Sequence, residues 1–438
     1  MFELEVKEEE NENFIIKTAL IKFNDTIEEI YVKLPISEKE YITDLLDPFV
    51  IMSIYKMMKV GGKCYVRGKV SKSLLDNLEN FCNCWIVWRP DLYKPIEIIA
   101  DEEVDDIPKK LNNDAITCFS GGLDACFTVY SHYKKLAGRN NKNIKKAIMI
   151  HGADIPLTNK EEFDIAFNSS KKILDDINIP LVAVETNYRK YKHHWEMEYI
   201  SLFISALTLY SKKYSNGIIS SGQSIDFNLM YLFSSNPISD EYLGSNNFKV
   251  INYGKVYSRT EKANVVKEWE KALKHIRVCW QGKDKSKNCR VCEKCQRTIL
   301  NFKVCGEDDV PAINNIIQLD NLILKNKAAI SAYKEILDYN RKTNYLDEHI
   351  ISEIKNLIKK SEDKINISNN NDFINELKLK EKKNNDLSNK LKIKEKQIND
   401  LSNKLKIREK KINDIVNKIA WWIPVKKWRD NFRNSILM

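Results

Sequence analysis

Two groups of residues have the types and spacing to do chemistry. The first is Ile116-Thr117-Cys118-Phe119-Ser120-Gly121-Gly122-Leu123-Asp124-Ala125, an apolar run that passes through two glycines into a helical pattern. Lacking Cβ atoms, Gly121 and Gly122 let the backbone come close to an anion, and the helix start that follows offers free N–H groups and a positive dipole end. The Ser120 hydroxyl can donate to a phosphate oxygen. Asp124 cannot meet phosphate directly, so its natural partner is a bridging Mg²⁺. A tight strand-to-helix connection with a capping serine would use the same residues, and no Gly-Lys-Ser/Thr follows, so this is not a Walker A loop. The second group is Cys279, Cys289, Cys292 and Cys295, spaced C-x9-C-x2-C-x2-C. Four thiolates at short spacings suit a closed tetrahedral Zn²⁺ site, structural rather than catalytic, with an Fe–S cluster or four unligated thiols as the competing readings. Cys64, Cys82, Cys84, Cys118, Cys126 and Cys305 read as small core residues.

The first segment resembles the pyrophosphate-binding loop of the PP-loop ATP pyrophosphatases, Ser-Gly-Gly-x-Asp-Ser, with Ala125 in the last place. The resemblance implies an adenine-nucleotide alpha-hydrolase-like domain in which Ser120, Gly121, Gly122, Leu123, Asp124 and Ala125 hold the phosphates of ATP, with Mg²⁺ at Asp124. It implies cleavage between the α and β phosphates, which adenylates a substrate oxygen and releases pyrophosphate. Ala125 removes one hydroxyl donor from the family pattern. The loop followed by the four cysteines is similar to the 7-cyano-7-deazaguanine synthases, whose cysteines hold structural zinc. Arg259-Thr260-Glu261-Lys262-Ala263-Asn264-Val265-Val266 is similar to a Thr-Lys-containing tract of those enzymes, which implies that Lys262 reaches the ATP phosphates; a solvated lysine at a helix start is the other reading. Gly152–Leu157, Val184–Arg189, Ser235–Asp240 and Arg277–Trp280 resemble a group of uncharacterised bacterial PP-loop proteins. Asn236 stands where that group has histidine, so a histidine role does not transfer. The resemblance spans about residues 45–305.

Such residues need a scaffold that presents them together. From Ala115 onward, short apolar runs (Ala115–Phe119, Ala147–His151, Leu181–Glu185, Gly217–Ser221) alternate with helical patterns (Ala125–Leu136, Lys160–Asp176, Trp195–Lys213). That alternation predicts an α/β fold, a parallel sheet with helices on both faces. Ligands of such sheets bind beyond the carboxyl ends of the strands. Asp154, Asn187, Arg189, Ser221 and Gln223 then fall on a pocket rim, with Arg189 suited to phosphate or a substrate carboxylate. His193 and His194 read as surface residues. Upstream, strands Phe14–Phe23, Ile30–Leu34, Lys63–Val70 and Pro95–Ala100 mix with helices Pro48–Met58 and Ser71–Phe81 in a small α+β domain. Asp101–Asp106 and Pro108 make a linker. The expected division is an N-terminal domain (1–110), a PP-loop domain with the zinc staple (111–310), a helical connector (311–370), a coiled coil (371–419) and a basic aromatic tail (420–438).

The 438 residues, 43% of them hydrophobic, allow about three domains and a real core, which excludes disorder throughout. The net charge of +10 is uneven: residues 371–438 carry 18 Lys/Arg against 9 Asp/Glu, leaving 53 against 52 in residues 1–370. A balanced body argues against nucleic acid as its partner. No basic, apolar signal segment opens the chain, and Tyr199–Tyr210 falls short of the roughly 18 apolar residues of a spanning helix, so a cytoplasmic protein is expected. Leu377–Lys390, Leu391–Lys404 and Leu405–Lys418 repeat with a period of 14 residues. Leu391, Ile398, Leu405, Ile412 and Ile419 share one seam position, and Leu387, Leu401 and Ile415 the other, interrupted by Asn384, Lys394 and Arg408. This predicts a coiled coil that pairs copies of the chain; a lone charged helix or a disordered tail is the alternative. Trp421–Arg433 interleaves indoles with cations and is similar to C-terminal tails of some bacterial surface-glycan glycosyltransferases, which implies peripheral contact with the inner face of the cytoplasmic membrane; docking to a protein is the other reading. Residue 2 is Phe2, not cysteine, so a nitrogen donor would be free or supplied by a partner.

Together these readings predict an ATP-dependent, AMP-forming ligase or amidotransferase acting on a small-molecule acceptor, a deazapurine-like base or a surface-glycan sugar. Asp124 and Lys262 are its expected catalytic residues. The alternative is a non-catalytic nucleotide-binding scaffold that works through its coiled coil and tail.

Overall fold

The computed structural model describes residues 2–106, 112–191, 194–230, 232–279 and 281–437. Pro108 of the expected linker, His193 and Trp280 lie outside them. Among the described residues ten strands form one sheet: β1 (Phe2–Glu10), β2 (Phe14–Phe23), β3 (Thr26–Pro35), β4 (Gly62–Ser71), β5 (Ile96–Val104), β6 (Asp114–Cys118), β7 (Asn143–His151), β8 (Leu181–Thr186), β9 (Asn216–Ser220) and β10 (Lys249–Tyr253). Their order is β10-β9-β6-β7-β8-β3-β2-β1-β4-β5. The helices are α1 (Asp47–Val60), α2 (Lys72–Trp88), α3 (Leu123–Tyr133), α4 (Lys160–Asp175), α5 (Trp195–Thr208), α6 (Ile225–Met230), α7 (Arg259–Val266), α8 (Glu270–His275), α9 (Glu293–Lys303), α10 (Lys327–Thr343), α11 (Glu348–Trp421) and α12 (Lys426–Leu437).

The short strands β6 to β10 are parallel throughout, as continuous apolar runs predict. In β7 every residue from Lys146 to His151 is buried, and the alternation of side chains divides them between two cores. Ile148 and Ile150 pack with α5 residues such as Ile200 and Ile204, while Ala147 and Met149 pack with Phe127 of α3 and Phe163 of α4. Helices therefore cover both faces. The order of the parallel block places β6 next to β9, the point where a doubly wound chain reverses direction and a crevice opens at the strand ends.

The N-terminal strands continue this same sheet. β3 pairs antiparallel with β8 through Val32 opposite Thr186 and Lys33 opposite Glu185. Asn187 secures the junction: its Oδ1 accepts from the Tyr31 N–H at 2.9 Å, and its Nδ2 donates to the Glu29 carbonyl at 2.8 Å. The sequence reading put Asn187 on a pocket rim; its amide is instead engaged in joining two halves of a sheet. That reading also missed two strands. β1 pairs with β2 and β4, with Phe2 and Leu4 fully buried, but its end runs into the acidic Glu8–Glu10 and the alternation is lost there. β10 is a short edge strand whose Lys249 and Asn252 dilute the apolar pattern.

The chain divides into two compact units, Met1–Glu362 and Asp363–Met438. The first holds the whole sheet and both cores, so the α+β segment and the parallel block share one unit. The second consists of the rest of α11 and of α12. Among the described residues no helix is long and apolar enough to cross a membrane.

Candidate active site and metal centre

The turn between β6 and α3 is held open by backbone geometry. Gly121 has φ +71°, in the left-handed region, and a Cβ there would lie 2.8 Å from Ser170 Oγ. Gly122 caps α3 in extended conformation, so the first intrahelical bond runs from the Cys126 N–H to the Gly122 carbonyl. The N–H groups of Leu123, Asp124 and Ala125 stand before that first bond and lack helical acceptors. The Arg277 N–H donates to the Gly121 carbonyl at 2.8 Å and fixes the turn from outside. We expect Gly121→Ala to lower stability by about 1–2 kcal/mol in urea denaturation, from the left-handed φ plus the clash. Adding Ser170→Ala should relieve the clash alone and recover only part of the loss.

A cavity of about 210 Å³ opens at this turn, bounded by the carboxyl ends of β6, β7 and β9. Its charge is mostly cationic. Arg259 Nη1 donates to Asp124 Oδ2 at 2.8 Å, and Lys262 Nζ donates to Asp124 Oδ1 at 3.3 Å and to the Ser221 carbonyl at 2.6 Å. Lys262 is fully buried and Arg259 nearly so. Burial alone would raise the Asp124 carboxyl, but Arg259, Lys262 and Lys294 outweigh it and hold the group below the usual carboxylate value. Burial pulls the Lys262 ammonium below its ordinary value, against the opposing pull of Asp124. Arg277 and Lys294 complete the lining. The Nε groups of Arg259 and Arg277 are buried without hydrogen-bond partners among the described residues. Such unmet donors around free helix N–H groups suit a polyanion. The opposite wall, with Ile148, Ile150, Phe203 and Ile219, is apolar and suits a flat ring.

The structure thus brings Ser120, Gly122, Leu123, Asp124 and Ala125 to one cavity and sets Lys262 directly behind Asp124. Ser120 is half-buried, and among the described residues its hydroxyl has no partner. Arg189 lies outside the lining: its guanidinium donates to the Ala153 carbonyl at 2.9 Å and stacks on Trp195, 4.3 Å from the ring centre. It braces the segment that carries Asp154, an exposed carboxylate at the cavity edge. Gln223 faces a second, smaller cavity of about 90 Å³, which shares Arg259 with the first. There Asn301, 1% exposed, has neither amide atom hydrogen-bonded among the described residues. His194 is exposed beside the start of α5. Sequence reasoning gave no role to Arg259, Arg277 or Lys294. Their signal was position: Arg277 stands just before Cys279, Lys294 lies between two cysteines, and Arg259 opens the lysine tract.

The four cysteines converge. Cys279 Sγ lies 3.8 Å from Cys292 Sγ, Cys289 Sγ lies 4.0 Å from Cys295 Sγ, and all four sulfurs lie within 4.8 Å of one another. Tetrahedral ligands with Zn–S bonds of about 2.3 Å stand roughly 3.8 Å apart, so donor set and spacing both fit zinc. The Gly282 N–H donates to Cys279 Sγ and the Cys292 N–H to Cys289 Sγ. Asn288 ties the knuckle down, accepting from the Val278 and Cys279 N–H groups and donating to the Ile276 and Ala312 carbonyls. Cys279 also lines the cavity, and α9, which starts directly after Cys292, carries Lys294. The cysteine cluster and the cavity therefore share a wall. Comparison with protein-family models, curated proteins and solved structures finds no match for the chain.

Proposed function

We propose that this protein is a PP-loop ATP pyrophosphatase that adenylates an oxygen of a small-molecule acceptor. One observation carries the reading: the Ser120–Ala125 turn opens a helix at the reversal point of a parallel sheet, inside a cavity lined by three cations, Arg259, Arg277 and Lys294, against two carboxylates, Asp124 and Asp154. The acceptor oxygen attacks the α phosphorus, pyrophosphate leaves, and a nitrogen nucleophile then displaces AMP. A poor leaving oxygen thereby becomes a good one. The N–H groups of Leu123 to Ala125, with Arg259, Arg277 and Lys294, would bind the phosphates. Ala125 keeps its N–H, so the turn loses a hydroxyl but no backbone donor. Mg²⁺, which neutralises phosphate charge, would be held by Asp154, because both oxygens of Asp124 are engaged by cations. A deazapurine-like base or a glycan sugar is the acceptor class we favour, the choice resting on the sequence resemblances.

Purified protein given ATP, Mg²⁺ and a small-molecule cell extract is expected to release AMP and pyrophosphate. ADP with phosphate, or intact ATP, would defeat the ligase reading; ATP bound and returned unchanged would instead favour the scaffold. Lys294→Ala should weaken ATP binding about 10-fold or more, the loss of one charge-assisted contact, while leaving the half-buried site folded.

A further inference from the structure

α11 ends in a stretch that one chain cannot satisfy. Leu387, Leu391, Ile398, Leu401, Leu405, Ile412, Ile415 and Ile419 are between 50% and 64% exposed. They recur with a seven-residue period, the spacing that lets a second helix cover the stripe in a left-handed supercoil. With Leu391, Ile398, Leu405, Ile412 and Ile419 at the first seam position, the residue before each seam is Lys390, Gln397, Lys404, Lys411 and Lys418. The opposite flank carries Glu395 and Glu409.

We propose that the stripe is covered by a second copy of this chain, running parallel and in register as a two-stranded coil. The flanking charges select the direction. In a parallel pair each flank meets the opposite flank of the other helix five residues on, so Lys390 meets Glu395 and Lys404 meets Glu409 of the second copy. Two-fold symmetry makes four such ion pairs. In an antiparallel pair like flanks meet, setting lysine against lysine and glutamate against glutamate. Strand number follows from Lys394 and Arg408 at the second seam position. In a two-stranded coil their alkyl stems can cover the seam while the charges reach water, whereas a larger bundle would bury them. Register follows from Asn384 at the first seam position. In register it faces the same residue of the other copy, and a slip of one 14-residue repeat would set it against Ile398.

This inference is independent of the nucleotide chemistry, and the full-length protein tests it. Light scattering at micromolar concentration should give twice the 51.2 kDa chain mass. Mild oxidation of Ile398→Cys should give a reducible cross-linked dimer that the wild-type chain does not form. Lys390→Glu with Lys404→Glu should weaken the dimer roughly 10- to 100-fold at low salt, as four pairs turn from attraction to repulsion. Adding Glu395→Lys and Glu409→Lys should restore it, and high salt should erase the difference. A monomer or a higher oligomer would overturn the proposal. Unchanged or tighter association after the lysine reversals would do so too, since in an antiparallel pair Lys390 and Lys404 face lysines rather than Glu395 and Glu409.

Discussion

An Asp124→Asn variant is expected to unfold in urea well below the wild-type midpoint, with about 3–5 kcal/mol of stability lost. The side chain keeps its shape, so the loss comes from charge. Lys262 is 0% exposed and Arg259 8%, and both donate to this carboxylate. A neutral amide leaves two desolvated cations uncompensated, and the Ser221 carbonyl that Lys262 also meets cannot offset a full charge. The same cause fixes the pH dependence. Because the folded carboxyl titrates below its ordinary value of 3.8, its contribution is fully present above that value and is lost as pH falls through the lower folded one. Acid unfolding of the wild type should contain this step, and that of the variant should lack it. Tripolyphosphate should raise the midpoint of the variant more than that of the wild type, because it supplies the anion that two buried cations lack. Equal shifts would show that these cations do not face the ligand.

Stripping the metal is the second large effect. Chelation, or Cys292→Ser, is expected to lower stability by about 4 kcal/mol or more, a fall of about 5 °C or more in Tm. Metal analysis of the intact protein should give one zinc per chain, and iron would show that the site is not the zinc staple its spacing predicts. The effect should reach the cavity as well. The segment Arg277–Cys279 both carries one of the four cysteines that could hold a metal and fixes the Gly121 carbonyl, and Lys294 stands between two of the others. Loss of metal should therefore abolish polyphosphate binding at temperatures where the sheet is still folded by circular dichroism. Binding that survives in folded, metal-free protein would separate the two sites.

The Ser120–Ala125 turn and the four cysteines were legible because each depends on local spacing: two glycines between a strand and a helix, and thiols a few residues apart. The four predicted strands of the parallel block lie within a few residues of their expected places because burial on both faces leaves unbroken apolar runs. What sequence could not supply was long-range pairing. Asn187 and Arg189 do follow a strand end, as read, but their partners are the Glu29 carbonyl and Tyr31 N–H of β3 and the Ala153 carbonyl, contacts that no local pattern announces. Likewise Arg259, Arg277 and Lys294 come from separate segments, and only the folded chain gathers them at one cavity. Asp124 shows the same limit in its chemistry. Its position was clear, but its engagement by two buried cations was not.

The antiparallel splice at β3 and β8 has a consequence for dissecting the molecule. The parallel half looks modular in sequence, yet one of its border strands is finished by residues that the chain made first. Severing the chain before residue 112 would not liberate a self-sufficient domain. It would strip β8 of its neighbour and leave a raw backbone edge, a template for aggregation.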